Sequence, residues 1–206
     1  MNSYAQNGED IIIQKYFGNY IGKFLSIGEN DGITFSNVRA FAEMGWTGLL
    51  VEASPTAYER MLKNYELIDR DFDFQNVAIG KDDGVLEFYE SGELLGKGDV
   101  SLVSSGVRSE LDRWTSLNIP FHKIKVPMTS FATMLARSRH TYFDLLSLDI
   151  EGMELDVLPQ IDFKALGIKV AVIEWNSQNE KAYNDIMFPR GFKLVHKNLE
   201  NLIYSL

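Results

Sequence analysis

A short apolar strand runs directly into an acidic, glycine-flanked loop in the segment Lys23-Phe24-Leu25-Ser26-Ile27-Gly28-Glu29-Asn30-Asp31-Gly32. A helix is predicted from about Ser36 to Met44, and a second apolar strand, Leu49–Val51, ends at Glu52. A strand, a glycine turn, a helix and then an acid, here 24 residues after Gly28, form the layout of a nucleoside-binding βαβ unit. In that layout the acid accepts hydrogen bonds from the ribose hydroxyls. The segment therefore predicts an α/β sheet with a nucleoside site.

The acidic loop indicates which nucleoside is bound. A dinucleotide-binding loop would carry a second glycine at position 30, where this chain has Asn30. Glu29 and Asp31 would also repel a pyrophosphate held at the N-terminus of the next helix. S-adenosylmethionine carries a sulfonium and an ammonium group, so the loop favours this methyl donor over NAD. An NAD-dependent oxidoreductase stays the alternative at this point.

Strand-like and helix-like segments alternate along the rest of the chain, which is typical of a mostly parallel sheet with helices on both faces. The later predicted strands are 74–79, 85–89, 122–128, 143–148 and 168–173, and 192–196 is predicted to pair antiparallel with 202–206. Residues 91–118 are rich in glycine and serine and show no clear period, so they are predicted to form a flexible insertion. Residues 1–206 are predicted to form a single domain.

The composition excludes several classes of protein. The 206 residues contain 20 Lys and Arg against 29 Asp and Glu, a net charge of −9 that disfavours a nucleic-acid partner. The absence of cysteine excludes disulfides, thiolate zinc sites and a cysteine nucleophile. No apolar run approaches the roughly 20 residues that span a bilayer, and the N-terminus shows no signal-peptide pattern. We therefore expect a cytoplasmic protein without membrane insertion.

Acidic side chains follow several of the predicted strands. Glu52 follows the second strand, Asp149 follows 143–148, and Glu174 follows 168–173. In open α/β sheets, ligands bind beyond the carboxyl ends of the strands. The sequence therefore predicts a rim of carboxylates around one crevice.

Several ordered motifs resemble the FkbM-type S-adenosylmethionine-dependent methyltransferases over roughly residues 3–200. The matching segments are Ser3–Asp10, Ile27–Gly32, Ser36-Asn37, Gly45–Glu52 with Pro55, Asn76–Ile79, Leu146–Leu155 and Ile173-Glu174. One position departs from the family pattern, since relatives usually have Asp where this chain has Ser26. The resemblance implies a Rossmann-like, seven-stranded methyltransferase sheet that is mostly parallel with an antiparallel C-terminal strand.

The resemblance also implies roles for particular residues. Gln6 and Asp10 would help to cover the donor, Gly28 to Asp31 and Ser36-Asn37 would surround its methionine moiety, and Glu52 would hold the ribose. Adenine would lie against Val77-Ala78. The full set expected at the donor is Tyr4, Gln6, Asp10, Gly28, Glu29, Asn30, Asp31, Ser36, Asn37, Glu52, Ala53, Asn76, Val77, Ala78 and Asp149.

The reaction that the resemblance implies is O-methylation, often of a sugar or a secondary metabolite such as a polyketide. A neutral hydroxyl needs a base, and Asp149 is the first candidate, with Glu151 and Glu174 as partners. Alternatively, Asp149, Glu174 and Asn176 would hold Mg²⁺ or Mn²⁺, which prefer oxygen ligands and acidify a bound hydroxyl. The acceptor is expected to be a small molecule or glycan with a free hydroxyl, and 91–118 is expected to act as its lid. A donor-binding module without catalysis is the non-enzymatic alternative.

Overall fold

The structure is a computed structural model that describes residues 2–96 and 98–206. Met1 and Lys97, the latter inside the predicted insertion, lie outside the described residues. The strands are β1 (Lys23–Ile27), β2 (Thr47–Glu52), β3 (Asp73–Asn76), β4 (Ala78–Gly80), β5 (Gly84–Ser91), β6 (Phe121–Ser130), β7 (Leu145–Leu148), β8 (Val170–Glu174), β9 (Lys193–Lys197) and β10 (Asn201–Ser205). The α-helices are α1 (Glu9–Phe17), α2 (Arg39–Glu43), α3 (Pro55–Tyr65), α4 (Phe131–Arg137), α5 (Glu154–Val157), α6 (Phe163–Leu166) and α7 (Glu180–Met187). Three 3-10 helices cover Arg108–Leu117, Leu158–Gln160 and Phe188–Arg190.

Seven strands form the main sheet in the order β3-β2-β1-β7-β8-β10-β9. Neighbouring strands from β3 to β8 pair in parallel, and β10 pairs antiparallel with both β8 and β9. The predicted fold class, a mostly parallel sheet with an antiparallel C-terminal strand, is therefore confirmed. Among the described helices, none is both long and apolar enough to cross a bilayer.

Apolar side chains from the central strands pack into two hydrophobic cores, one on each face of the main sheet. Along β8, Val170 and Val172 belong to one core cluster, while Ala171 and Ile173 belong to the other. Successive side chains of a strand point to opposite faces, so a sheet that is covered on both sides needs such continuous apolar runs. The same alternation in β2, where Leu50 faces one core and Leu49 and Val51 the other, explains why the central strands are readable from the sequence.

The predicted strand 74–79 is wrong as a single element, because it divides between two sheets. Residues up to Asn76 pair with β2, whereas β4 belongs to a separate three-stranded sheet of order β4-β6-β5. At the division, the Val77 N–H donates to the Glu52 carbonyl at 3.0 Å, and Asn76 Nδ2 donates to the same oxygen at 2.8 Å. These bonds hold the chain at the end of β2 before it leaves the main sheet.

Two other elements differ from the prediction. The helix predicted from Ser36 begins at Arg39, because Ser36 Oγ accepts hydrogen bonds from the backbone N–H groups of Val38 (3.2 Å) and Arg39 (2.9 Å). The short helix α6 was not predicted at all. Within 91–118, residues Arg108–Leu117 form a 3-10 helix, and Ser105 makes a β-bridge with Tyr89.

Candidate active site

A cavity of about 380 Å³ lies at the carboxyl ends of the parallel strands. Its lining includes a residue at or directly after the end of each of four parallel strands: Gly28 after β1, Glu52 at the end of β2, Asp149 after β7 and Glu174 at the end of β8. The lining also includes residues of the predicted insertion, among them Leu94, Ser101, Leu102, Val103, Ser104 and Gly106. The strand ends thus meet around one crevice, in the arrangement that ligand-binding α/β sheets use.

The loop after β1 can pass close to β7 only because Gly28 has no side chain. Its φ is +82°, and a Cβ there would lie 1.6 Å from the carbonyl oxygen of Asp149. The N–H groups of Gly28 and Glu29 both donate to the Val51 carbonyl, at 2.9 and 3.2 Å. The loop is therefore held between the ends of β2 and β7.

Glu29 is the centre of a buried hydrogen-bond network beneath this loop. Its Oε2 accepts from Ser26 Oγ at 2.6 Å, and its Oε1 accepts from Ser36 Oγ at 2.6 Å and from the Tyr65 hydroxyl at 3.1 Å. Burial raises the pKa of Glu29 to about 7, against the opposing effect of these three hydroxyls. Ser26, the departure from the family pattern, thus supplies a hydroxyl donor where an acid would add a second carboxylate.

Glu52 is buried at the end of β2 and holds the backbone on both sides of the cavity mouth. Its Oε2 accepts from the Asn30 N–H at 2.8 Å, and its Oε1 accepts from the Ser54 N–H at 2.7 Å. Burial raises the pKa of Glu52 to about 7, while these backbone hydrogen bonds act in the opposite direction. Each carboxylate oxygen has further acceptor capacity for a ligand hydroxyl.

Asp149, Glu151 and Glu174 form a compact carboxylate cluster. One oxygen from each lies within 4.8 Å of the others. Burial raises the pKa of all three, and mutual repulsion raises those of Glu151 and Glu174 further. A hydrogen bond from Glu174 opposes the rise at Asp149. Carboxyl groups this close repel one another when ionised, so the cluster retains protons to a higher pH than isolated carboxyl groups do.

The guanidinium of Arg113 faces this cluster from the 3-10 helix Arg108–Leu117. Arg113 Nη1 lies 2.8 Å from Glu110 Oε2 and 3.5 Å from Glu151 Oε2, and the guanidinium stacks over the Trp114 ring at 5.2 Å. Its positive charge lowers the pKa of Asp149 and of Glu151, although burial has the larger, opposite effect. The insertion therefore brings the cation that partly balances the acids.

Glu154 positions the turn that carries the cluster. Its Oε1 accepts from the Ile150 N–H at 2.8 Å, and its Oε2 accepts from the Gly152 N–H at 3.1 Å. The turn holds Glu151 at a φ of +50°, an unfavourable value for a residue with a side chain. The role of Glu154 was not predicted, although it lies in the matching motif Leu146–Leu155.

Unusual backbone conformations concentrate at the cavity. Eight non-glycine residues in the described ranges have a positive φ, and six of them line the cavity: Asn30, Phe35, Ser101, Glu151, Asn176 and Ser177. Such conformations cost about 1–3 kcal/mol each and tend to cluster at functional sites. This concentration favours the cavity as the candidate functional site independently of its charge.

The cavity presents more unpaired hydrogen-bond acceptors than donors. Asn37 Oδ1, Glu174 Oε2 and Asn201 Oδ1 are buried without a hydrogen-bond partner among the described residues, and Glu151 Oε2 has only the ion pair with Arg113. The one unpaired donor among these lining groups is Trp114 Nε1. A ligand that satisfies this surface must supply N–H or O–H groups, because buried polar atoms without partners are costly.

The structure brings together most of the residues predicted from the sequence. Those that line the cavity are Gln6, Gly28, Glu29, Asn30, Ser36, Asn37, Glu52, Ala53, Val77, Ala78, Asp149, Glu151, Glu174 and Asn176. Tyr4, Asp10, Asp31 and Asn76 are not among the lining residues.

These four side chains have structural partners instead. The Tyr4 hydroxyl donates to Glu43, and Asp10 accepts from Ser3 and from the Tyr4 N–H. Asp31 accepts from the Ile33 and Thr34 N–H groups, while Asn76 donates to the carbonyl oxygens of Glu52 and Ala53. All four therefore support segments next to the cavity.

Comparison with known proteins identifies the family. The sequence-family model of the methyltransferase FkbM domain matches residues 26–201 of this chain. The chain belongs to the FkbM methyltransferase family. This FkbM methyltransferase is thus an S-adenosylmethionine-dependent enzyme, as its motifs predict. No curated protein sequence matches it significantly.

Solved structures share the fold of this FkbM methyltransferase. The ribosomal protein L11 methylase from Lactobacillus delbrueckii subsp. bulgaricus superposes with a TM-score of 0.55 at 12% identity, covering 97% of this chain and 77% of that one. The precorrin-6y C5,15-methyltransferase from Geobacter metallireducens GS-15 gives a TM-score of 0.53 at 9% identity, covering 100% of this chain and 92% of that one. At such identities the similarity concerns the fold alone.

Proposed function

We propose that this enzyme transfers the methyl group of S-adenosylmethionine to a hydroxyl of a sugar or glycan. The observation that supports the proposal is the lining of the cavity, where the unpaired amide oxygens of Asn37 and Asn201 accompany three clustered carboxylates. A polyhydroxylated acceptor supplies the O–H groups that such a surface needs. A phosphorylated or nucleic-acid acceptor would meet repulsion from the same carboxylates.

The residues at the ends of β1 and β2 suit the donor. Glu52 is placed to accept from the ribose hydroxyls, and the apolar wall at Val77 and Ala78 suits adenine. The acceptor atom Asn37 Oδ1, buried and unpaired, suits the donor's ammonium group. When bound, S-adenosylmethionine supplies an electrophilic methyl group on a sulfonium.

Asp149 is the proposed base for the acceptor hydroxyl. A pKa raised by burial makes its carboxylate a stronger base than an exposed aspartate. A hydrogen bond from Glu174 lowers the pKa of Asp149, and the positive charge of Arg113, 3.5 Å from Glu151 Oε2, offsets part of the negative charge of the cluster. The proton of the hydroxyl passes to a carboxylate oxygen of Asp149 as the new C–O bond forms and the methyl–sulfur bond of the donor breaks, with S-adenosylhomocysteine as the leaving group.

A divalent cation could activate the hydroxyl instead of a base, and the geometry of the carboxylate cluster suits such a cation. Asp149, Glu151 and Glu174 each offer a hard oxygen ligand within 4.8 Å of the others, and Glu174 Oε2 has no hydrogen-bond partner. Asn176 lines the same cavity. Mg²⁺ or Mn²⁺ bound there would lower the pKa of the acceptor hydroxyl.

We also propose that the chain works as a single domain in which 91–118 covers the acceptor end of the cavity. Ser101 Oγ lies 2.9 Å from Ser54 Oγ near β2, and Ser105 Oγ donates to the Glu151 carbonyl at 2.7 Å near β7. Residues 101–105 therefore connect the ends of β2 and β7, between which β1 lies in the sheet. Deleting 108–117 should weaken acceptor binding, and unchanged acceptor affinity would contradict the lid.

Calorimetry and a transfer assay test the proposed function. In calorimetry we expect S-adenosylmethionine and S-adenosylhomocysteine to bind to the enzyme, and we expect NAD not to bind. Radiolabelled methyl from the donor should then appear on the oxygen of methyl glycosides in a panel that also contains polyketide alcohols, amines and peptides. Transfer to nitrogen, or to no hydroxyl compound of the panel, would contradict O-methylation.

A further inference from the structure

Asn201 is a buried side chain at the active-site cavity that the mechanism above does not use. It is 5% exposed, it lines the cavity, and its Oδ1 has no hydrogen-bond partner among the described residues. The residue opens β10, the antiparallel strand next to β8. A buried amide oxygen without a partner, on a residue that lines a cavity, indicates a position where a ligand donates a hydrogen bond.

Glu9 fixes which end of the Asn201 amide faces the ligand. Asn201 Nδ2 donates to Glu9 Oε1 at 2.9 Å, and Glu9 also accepts from Asn198 Nδ2 at 2.6 Å and from the Asn7 N–H at 2.9 Å. Burial alone would raise the pKa of Glu9, but these amide hydrogen bonds lower it, so Glu9 is ionised. A carboxylate accepts and does not donate, so the amide nitrogen must face Glu9, and the carbonyl oxygen is the end of the amide that is left for a ligand.

Register places Asn201 in a row with the proposed base. Glu174 of β8 is paired with Asn201 of β10. On the other side of β8, Ile173 is paired with Leu148 of β7. The next residues along these two parallel strands, Glu174 and Asp149, therefore also lie side by side. Asp149, Glu174 and Asn201 therefore follow one another across three neighbouring strands at steps of about 5 Å. Along the strand order, the row runs from β7 towards β10, whereas β2 and the proposed ribose site at Glu52 lie in the other direction from β7.

We propose that Asn201 Oδ1, together with Glu174, binds a second hydroxyl of the acceptor, adjacent to the hydroxyl that is methylated. This inference rests on the proposed function and narrows the acceptor to compounds with neighbouring hydroxyls, such as vicinal diols of a sugar ring. Asp149 takes the proton of the reacting hydroxyl, and the next acceptor atoms along the row hold its neighbour. Glu9 is a positioning residue that acts through the Asn201 amide.

The test measures binding of methyl glycosides of hexoses and 6-deoxyhexoses to enzyme loaded with S-adenosylhomocysteine. Each glycoside is paired with the analogues that lack one ring hydroxyl. We expect the wild-type protein to bind at least one glycoside and to lose roughly 5–10-fold in affinity when the neighbouring hydroxyl is absent, the effect of one buried hydrogen bond. Asn201→Leu should lose the same factor for the intact glycoside and bind the deoxy analogue as the wild type does.

Two further variants separate recognition from folding. Asn184→Leu removes another partly buried amide, one that accepts from the Tyr204 hydroxyl of β10 at 2.9 Å outside the cavity, and it should leave glycoside affinity unchanged. Glu9→Gln should weaken binding of the intact glycoside but not of the deoxy analogue, because the orientation of the Asn201 amide is no longer fixed. Affinity for S-adenosylhomocysteine should stay within about twofold in Asn201→Leu, a change well below the loss of one hydrogen bond.

The outcomes distinguish this inference from the proposed function. If the wild type binds and methylates a glycoside but tolerates loss of every neighbouring hydroxyl, the second-hydroxyl site is refuted while O-methylation stands. Equal binding of the intact glycoside by Asn201→Leu and wild type has the same meaning. If the loaded wild-type enzyme binds no glycoside of the panel, both proposals are overturned.

Discussion

Gly28→Ala tests whether the close approach of the β1 loop to β7 is as strict as the geometry indicates. At a φ of +82°, an alanine costs about 1–2 kcal/mol from backbone conformation. The added Cβ would also lie 1.6 Å from the Asp149 carbonyl oxygen and 2.7 Å from its carbon. Those atoms are backbone, so the strands must separate, and overpacking of this kind costs typically about 1–3 kcal/mol. We expect a loss of about 2–5 kcal/mol in the free energy of unfolding.

Gly167→Ala is the matched control for this prediction. Gly167 ends α6 with a φ of +77°, it is exposed, and a Cβ there would be 3.9 Å from its nearest neighbour, the Phe143 carbonyl oxygen. It therefore suffers the backbone cost without the collision. Urea denaturation of both variants gives the difference, which we expect to be about 1–3 kcal/mol.

The same substitution should also affect the site. Separation of β1 and β7 moves Asp149, so turnover should fall more in Gly28→Ala than in Gly167→Ala even where both remain folded. A Gly28→Ala protein as stable and as active as Gly167→Ala would refute the reasoning, because it would show that the two strand ends can part at no cost.

Three more predictions concern the carboxylates. Asp149→Asn should lower turnover at least tenfold, because a general base contributes roughly 10²–10⁴-fold. Donor affinity by calorimetry should be nearly unchanged, and near-normal turnover would remove Asp149 as the base. Excess EDTA should leave turnover unchanged if the carboxylates act alone, whereas a loss that Mg²⁺ or Mn²⁺ restores would assign the Asp149, Glu151 and Glu174 cluster to a metal. The raised pKa of Glu52 predicts that the ligand-free protein loses stability as the pH rises from about 4.5 to about 7, because the unfolded chain releases this proton first. Glu52→Gln should flatten that part of a urea-denaturation profile against pH, and an unchanged slope would show that burial does not perturb Glu52.

The sequence predicted those parts of the fold that depend on local patterns. The apolar runs of β1, β2 and β8 identify buried parallel strands, and the acids after them had to converge because parallel strands end at one edge. The division of 74–79 could not be predicted, since it depends on a hydrogen bond from Val77 to the Glu52 carbonyl, a residue from another strand.

The candidate site shows the same limit. Glu52, Asp149 and Glu174 were identified from their positions after strands, and all three line the cavity. The function of Asn201 depends on an amide orientation that Glu9 sets from 192 residues away. No local pattern in the sequence contains such information, so only the folded structure indicates Asn201.

The network around Glu29 has a kinetic consequence. Its four side chains satisfy one another without any ligand, so the loop that we propose to bind the donor keeps its shape when empty. Such preorganisation means that little conformational entropy is lost on binding. A loop already in this shape recognises the parts that S-adenosylmethionine shares with S-adenosylhomocysteine, which differ by one methyl group. The enzyme should therefore be slowed by its own product, and its turnover should depend on how quickly that product is removed.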